Sequence, residues 1–204
     1  MGARYVAIAG NIGAGKSSMV GFLSKRFGLR LLSEPVDDNP YLEDFYRDMH
    51  AHAFSSQIFY LTRKFALHVE AERAEDKVVL DRSIYEDAEI FVEALKARRV
   101  LNRRDYQTYR ELYEVIRDQV KPPDLLVYLH CSVRGLKRRI RWRGRASEQD
   151  IPTGYLRSLS QRYDRWFENY DLGPKAIIET DQLDYMHDLV DLVDLIEEIE
   201  KLLS

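Results

Sequence analysis

Hydrophobic positions along the 204-residue chain fall into two patterns. Short apolar runs without polar alternation, at 5–9, 78–80, 125–129 and 176–178, predict strands buried on both faces, and a weaker pair at 31–32 predicts a fifth. Stretches with helical spacing lie between them, at 17–27, 53–74, 84–97, 106–117, 133–142 and 155–170. A further helix opens at Asn39-Pro40, with asparagine as cap and proline in the first helical position, and runs to about residue 49. The last, at 186–203, sets Met186, Leu189, Val190, Val193, Ile196 and Ile199 on one face. Strands alternating with helices predict an α/β fold in three layers, with a central parallel sheet of about five strands and helices on both faces.

Composition narrows the setting. No linker, repeat or low-complexity tract divides the chain, so residues 1–204 are expected to form a single domain. A net charge of -3 argues against bulk nucleic-acid binding. No apolar run approaches the ~18 residues of a membrane helix, and the N-terminus has no signal-peptide pattern, so no membrane partner is expected. The single Cys131 excludes an internal disulfide and a multi-cysteine zinc site, and fits a cytoplasmic protein.

The first strand leads into Gly10-Asn11-Ile12-Gly13-Ala14-Gly15-Lys16-Ser17, a full G-x-x-x-x-G-K-S match between a strand and a helix. Glycines let backbone N–H groups wrap a phosphate, and the helix N-terminus adds partial positive charge. Lys16 can reach the β and γ phosphates, and the Ser17 hydroxyl can hold magnesium. The fold is therefore expected to be a P-loop sandwich that binds a nucleoside triphosphate such as ATP through residues 10–17 and Ser18.

Other polar residues gather at the predicted strand ends. Glu34-Pro35 follows the second strand, where a carboxylate can accept the proton of an attacking hydroxyl. Asp81-Arg82-Ser83 closes the third, placing a carboxylate for magnesium and a guanidinium beside Glu34. Arg134, Lys137, Arg138, Arg139, Arg141, Arg143 and Arg145 crowd one helix and turn. They form a solvated basic face, an RNA-binding helix or a lid, and the phosphate loop favours a lid at about 139–150 that neutralises phosphoryl charge in transit.

Taken in order, the phosphate loop, Ser-Glu-Pro-Val, Asn-Pro-Tyr-Leu-Glu-Asp-Phe-Tyr, Gln57, Asp-Arg-Ser-Ile-Tyr-Glu-Asp and Arg-Gly-Arg resemble the deoxyribonucleoside kinases. The likeness is greatest to their bacterial deoxyadenosine/deoxycytidine branch. The resemblance implies transfer of the γ-phosphate of ATP, with Mg2+, to the 5′-hydroxyl of a deoxyribonucleoside. It implies that Glu34 is the general base, that Arg82 holds that base and the hydroxyl, and that Asp81 supports magnesium. Tyr46 and Glu148 would bind the sugar 3′-hydroxyl, Gln57 and Asp87 would read the base, and Phe91 would stack on it. Arg139, Arg143 and Arg145 would form the lid, and a homodimer would form through the helices at 84–97 and 106–117. The residues agree in part: an amide offers one donor and one acceptor, as adenine or cytosine does in return, and Phe91 lies one helical turn beyond Asp87.

The chain also departs from the pattern. Val36-Asp37-Asp38-Asn39 stands where relatives often carry tryptophan, Ser56 where some have phenylalanine, His52 where the bacterial branch often has tryptophan, and Lys64 where some have arginine. The expected substrate is deoxyadenosine first, then deoxycytidine or deoxyguanosine. The alternatives are a thymidylate-type nucleoside monophosphate kinase and a non-catalytic nucleotide-binding module. Val36 and Ser83, where the former usually has glycine and an aromatic residue, weigh against that reading.

Overall fold

The structure, a computed structural model, describes residues 3–33, 39–145, 148–181, 193, 197 and 199–203. Strands β1 (Tyr5–Gly10), β2 (Arg30–Leu32), β3 (Val78–Asp81), β4 (Leu125–His130) and β5 (Lys175–Glu179) form one sheet in the order β2-β3-β1-β4-β5. All neighbours are parallel, with Tyr5 opposite Val78 and Val6 opposite Leu125. The apolar runs predict these strands to within one or two residues at each end. The additions at the carboxyl ends are Gly10, Asp81, His130 and Glu179, which extend the ladder without being apolar. From β1 the chain moves out to β2, returns through β3, then passes to β4 on the far side of β1. That reversal leaves a crevice at the carboxyl ends of the central strands, where ligands bind in such sheets.

Alternation across the pleat divides the core. Val6, Ile8, Leu125, Val127 and Leu129 face Met19, Val20 and Leu23 of α1 (Lys16–Phe27) and Leu136 of α7 (Val133–Arg143). Ala7, Ala9, Leu126 and Tyr128 face Tyr155, Leu156, Leu159 and Tyr163 of α8 (Thr153–Asn169). The small Ala7 and Ala9 let that second layer approach the strand that feeds the phosphate loop. A third cluster joins α3 (Met49–Arg73) and α6 (Arg103–Arg117) to α4 (Ile84–Glu86), which continues into a π-helical stretch at Asp87–Val92 and then α5 (Glu93–Ala97).

Several helix starts differ from the sequence pattern: α6 begins three residues early, capped by Asn102, and α8 two residues early. The helix assigned to Asn39-Pro40 begins later, as α2 (Leu42–Arg47). Asn39 Oδ1 accepts from the Tyr41 N–H at 2.9 Å and its carbonyl from the Leu42 N–H at 3.1 Å, so asparagine closes a turn around Pro40. Helix α3 starts at Met49, four residues before its alanine-rich stretch, because Asp48 Oδ1 accepts from the Ala51 N–H at 3.1 Å and caps it. Most of the predicted helix at 186–203 lies outside the described residues, but Ile199 and Leu203 are buried in the α1 layer. Among the described residues no helix is long and apolar enough to cross a membrane.

Candidate active site

The phosphate loop is built as a tight backbone cradle. Gly15 caps α1 at φ 100°, and Gly13 lies at φ 82°, where an added Cβ would come within 2.8 Å of Ile140 Cγ1. Side chains are excluded there by conformation and by space. Asn11 anchors the loop: its Oδ1 accepts from the Ile12 N–H at 2.7 Å, and its Nδ2 donates to the Leu156 carbonyl and Ser160 Oγ of α8 at 3.0 and 2.9 Å. Lys16 Nζ donates to the carbonyls of Gly10 and Asn11 at 2.8 and 3.0 Å, so its charge lies inside the loop. Ala14 is buried, and Ser17 and Ser18 are exposed at the start of α1.

Ser17 Oγ donates to Asp81 Oδ2 at 2.9 Å, joining the loop to the end of β3. The other oxygen, Asp81 Oδ1, is buried and accepts no hydrogen bond from the described residues. A hydroxyl and a carboxylate with a spare acceptor are a donor set that suits a hard divalent cation such as Mg2+. Arg82, one residue on, holds a left-handed backbone at φ 68°, which is strained for a side chain of this kind and is found most often at functional sites. Its guanidinium sits 4.6 Å above the Phe91 ring, 3.6 Å from Glu86 Oε1, and donates to the Gly10 carbonyl at 3.4 Å. One face of Phe91 is thus taken by Arg82, while the ring still lines the cleft.

That cleft is about 830 Å3, counting its open mouth. It brings together Lys16, Ser17, Asp81, Arg82, Tyr46, Gln57, Asp87, Phe91, Arg143, Arg145 and Glu148, residues predicted from several distant segments. At one end Gln57 is 5% exposed, and its Oε1 accepts no hydrogen bond from the described residues. In the same cleft Asp87 Oδ1 takes the Lys64 ammonium at 2.6 Å, with both side chains buried. At the mouth Glu148 pairs with Arg143 and, at 3.6 Å, with Arg145. The two arginines are therefore held within their own turn by the carboxylate assigned to the sugar.

Arg139 is placed differently. Its guanidinium donates to the Ala14 carbonyl at 2.9 Å, to Thr180 Oγ1 at 2.9 Å and to the Thr180 carbonyl, and it does not line the cleft. It braces the back of the phosphate loop against the segment after β5. Glu34 and Val36 lie outside the described residues. Ser56 and Asn39, which stand where relatives often carry aromatic residues, bond to each other, Asn39 Nδ2 donating to Ser56 Oγ at 3.1 Å, while Tyr60 lines the cleft.

Sequence reasoning passed over Glu86 and His68. Glu86 is fully buried beneath the phosphate loop, and burial pushes its carboxyl above the usual range against the pull of Arg82, Lys16 and Lys64. A signal was available: Ser83-Ile84-Tyr85-Glu86 has capping-box spacing, and the structure forms that box. His68 sits between Tyr5, whose hydroxyl lies 2.9 Å from Nδ1, and the Ile84 N–H, 3.3 Å from Nε2. Burial, reinforced by Lys64, lowers its pKa to about 3.

Residues 6–204 match the family described as deoxynucleoside kinase. The chain is 34% identical over 185 residues to a deoxyadenosine/deoxycytidine kinase of Bacillus subtilis, covering 90% of this chain and 85% of the relative. It is 40% identical over 190 residues to a deoxyguanosine kinase of Lactobacillus johnsonii, covering 89% and 84% respectively. Among solved structures, deoxyadenosine kinase from M. mycoides with the products dCMP and a flexible dCDP bound superposes with a TM-score of 0.84 at 29% identity, over 96% of this chain and 98% of that one.

Proposed function

The chain belongs to the deoxynucleoside kinase family and phosphorylates deoxyribonucleosides, and from that premise we propose that deoxyadenosine is the acceptor it uses best. The observation that carries the choice of a base with an amino group beside a ring nitrogen is the buried Gln57 Oε1, set in the cleft that Asp87 also lines, without a hydrogen-bond donor from the described residues. An amide pairs through one donor and one acceptor, and adenine or cytosine offers an amino group beside a ring nitrogen in return. Asp87, ionised against Lys64, accepts from an amino group and repels the carbonyl of thymine.

The remaining roles follow from position. Glu34 takes the proton of the 5′-hydroxyl as the oxygen attacks the γ-phosphorus of ATP, and Arg82 holds that oxygen. Lys16 turns from the loop carbonyls to the phosphates, Arg143 and Arg145 meet the transferring phosphoryl group, and Tyr46 and Glu148 hold the sugar 3′-hydroxyl. Ser17 and Asp81 would hold Mg2+, which when bound neutralises charge on the phosphate oxygens. Arg139 acts from behind the loop. The enzyme works as a cytoplasmic homodimer in nucleotide salvage. For the interface α6 is the better of the two assigned segments, since it leaves Leu112 and Val115 exposed at 38% and 65%, whereas most of 84–97 is buried within the subunit.

The test is kcat/KM for the four deoxynucleosides with ATP. Deoxyadenosine is expected first, deoxycytidine or deoxyguanosine next, and thymidine lower than the best by roughly tenfold to a hundredfold, the cost of an unpaired buried polar group. Thymidine as the best substrate overturns the Gln57–Asp87 reading. Deoxyguanosine as the best overturns the choice of base.

A further inference from the structure

Glu86 has no part in the roles above, yet its side chain is the most tightly committed near the reacting groups. Oε1 accepts from the Gly10 N–H at 3.2 Å and the Tyr163 hydroxyl at 2.9 Å, and lies 3.6 Å from Arg82 Nε. Oε2 accepts from the Ser83 N–H at 2.9 Å and the Ser83 hydroxyl at 3.4 Å. Gly10 opens the phosphate loop, Arg82 follows the metal-site carboxylate, and Tyr163 belongs to the helix that anchors Asn11 through Leu156 and Ser160.

The contacts close into a ring. Glu86 holds Arg82 at one edge, Arg82 lies over Phe91, Phe91 meets Tyr163 edge-on at 6.3 Å, and the Tyr163 hydroxyl returns to Glu86. Tyr163 is itself fixed by stacking on Tyr128 of β4, with centroids 5.6 Å apart and planes 6° from parallel. A side chain with as much rotamer freedom as arginine, on a left-handed backbone, is thereby held from two sides. Its anchor also binds the backbone that cradles the donor phosphates.

We propose that Glu86 is a positioning residue that couples the start of the phosphate loop to Arg82, so that the donor phosphates and the acceptor hydroxyl are held in register by one buried carboxylate. The inference rests on the reading that Arg82 acts on the acceptor hydroxyl. A capping carboxylate alone needs only the Ser83 contacts of Oε2. The hydrogen bonds of Oε1 to Gly10 and Tyr163 and its ion pair with Arg82 point to the further role.

A kinetic double-mutant cycle over Glu86→Gln and Arg82→Ala tests it, with kcat and both KM values measured by varying each substrate at a saturating concentration of the other. Misplacing a reacting group by about 1 Å costs on the order of a hundredfold. Glu86→Gln is therefore expected to lower kcat by roughly 30–100-fold in the wild-type background with little change in deoxynucleoside KM. In the Arg82→Ala background the same change should cost less than about threefold, because the group it positions is gone. Equal losses in both backgrounds would show a structural cap only and overturn the proposal. If Glu86→Gln does not fold, Tyr163→Phe replaces it in the cycle, since it removes one hydroxyl and leaves the carboxylate; an Arg82-independent loss, or none, overturns the proposal equally. A wild-type enzyme unaffected in kcat by Arg82→Ala would instead sink the reading of Arg82, which the first arm of the cycle reports separately.

Discussion

Lys64 Nζ lies 2.6 Å from Asp87 Oδ1, and the two side chains are 0% and 4% exposed, so the cleft is bounded at Asp87 by a desolvated ion pair. The Lys64 ammonium also lies 5.6 Å from the centroid of Tyr60, another wall of the cleft. Removing one partner of such a pair leaves a buried charge, which costs about 3–5 kcal/mol. Lys64→Met should therefore lower unfolding stability by about that amount, and adding Asp87→Asn should restore most of it. Urea melts of the two variants decide the point. A loss below about 1 kcal/mol for Lys64→Met would mean that the pair is solvated.

One helical turn further along α3, His68 makes stability depend on pH. Its pKa of about 3 in the folded protein is below the 6.5 of a free histidine, so the folded state holds it neutral. Tyr5, Tyr85 and Lys64 surround it. The stabilisation is complete above pH 6.5 and is lost as pH falls from there towards 3. Between pH 7 and pH 5 the histidine alone removes about 2 kcal/mol. His68→Gln should flatten the stability profile by that amount over this interval, and an unchanged slope would show that His68 is protonated in the fold.

Glu34→Gln keeps the shape of the side chain but removes the proton acceptor. General-base catalysis is worth about 100–10,000-fold, so kcat should fall by that order while deoxynucleoside binding persists. A loss of less than about tenfold, with chemistry shown to limit turnover, would remove Glu34 from that role.

For the turn at the cleft mouth, Arg143→Ala and Arg145→Ala should each lower kcat more than they weaken deoxynucleoside affinity, because their partner is the phosphoryl group in transit. Their pairing with Glu148 adds a second expectation: Glu148→Gln should raise the KM for deoxynucleoside and also depress kcat, since it releases both arginines. Normal turnover in the arginine variants together with loss of RNA binding would make the basic segment a nucleic-acid surface instead.

Much of this architecture is legible in the sequence because burial on both faces leaves a plain mark. The runs around Val6, Val79 and Val127 are apolar without alternation and became the three central strands. The phosphate loop is legible because backbone geometry demands glycine at Gly13 and Gly15. Residues whose role depends on what lies opposite are harder to read. Arg139 shares α7 with Arg143, but one turn nearer the start of the helix its neighbours are Ala14 and Thr180 behind the loop. Glu86 reads as a helix cap, and only the packing of Tyr163 and Gly10 against it shows the second use of its carboxylate. Helix α2 starts later than the pattern predicts because asparagine before proline closes a turn as readily as it caps a helix.

ADP release from ATP, measured in parallel with deoxyadenosine and with deoxyadenosine monophosphate as acceptors, tests the account at its centre. A cleft that presents Gln57 and Asp87 to a base and Arg82 to a free hydroxyl should turn over the nucleoside and leave the monophosphate essentially unused. Turnover of the monophosphate without turnover of any deoxynucleoside would contradict it.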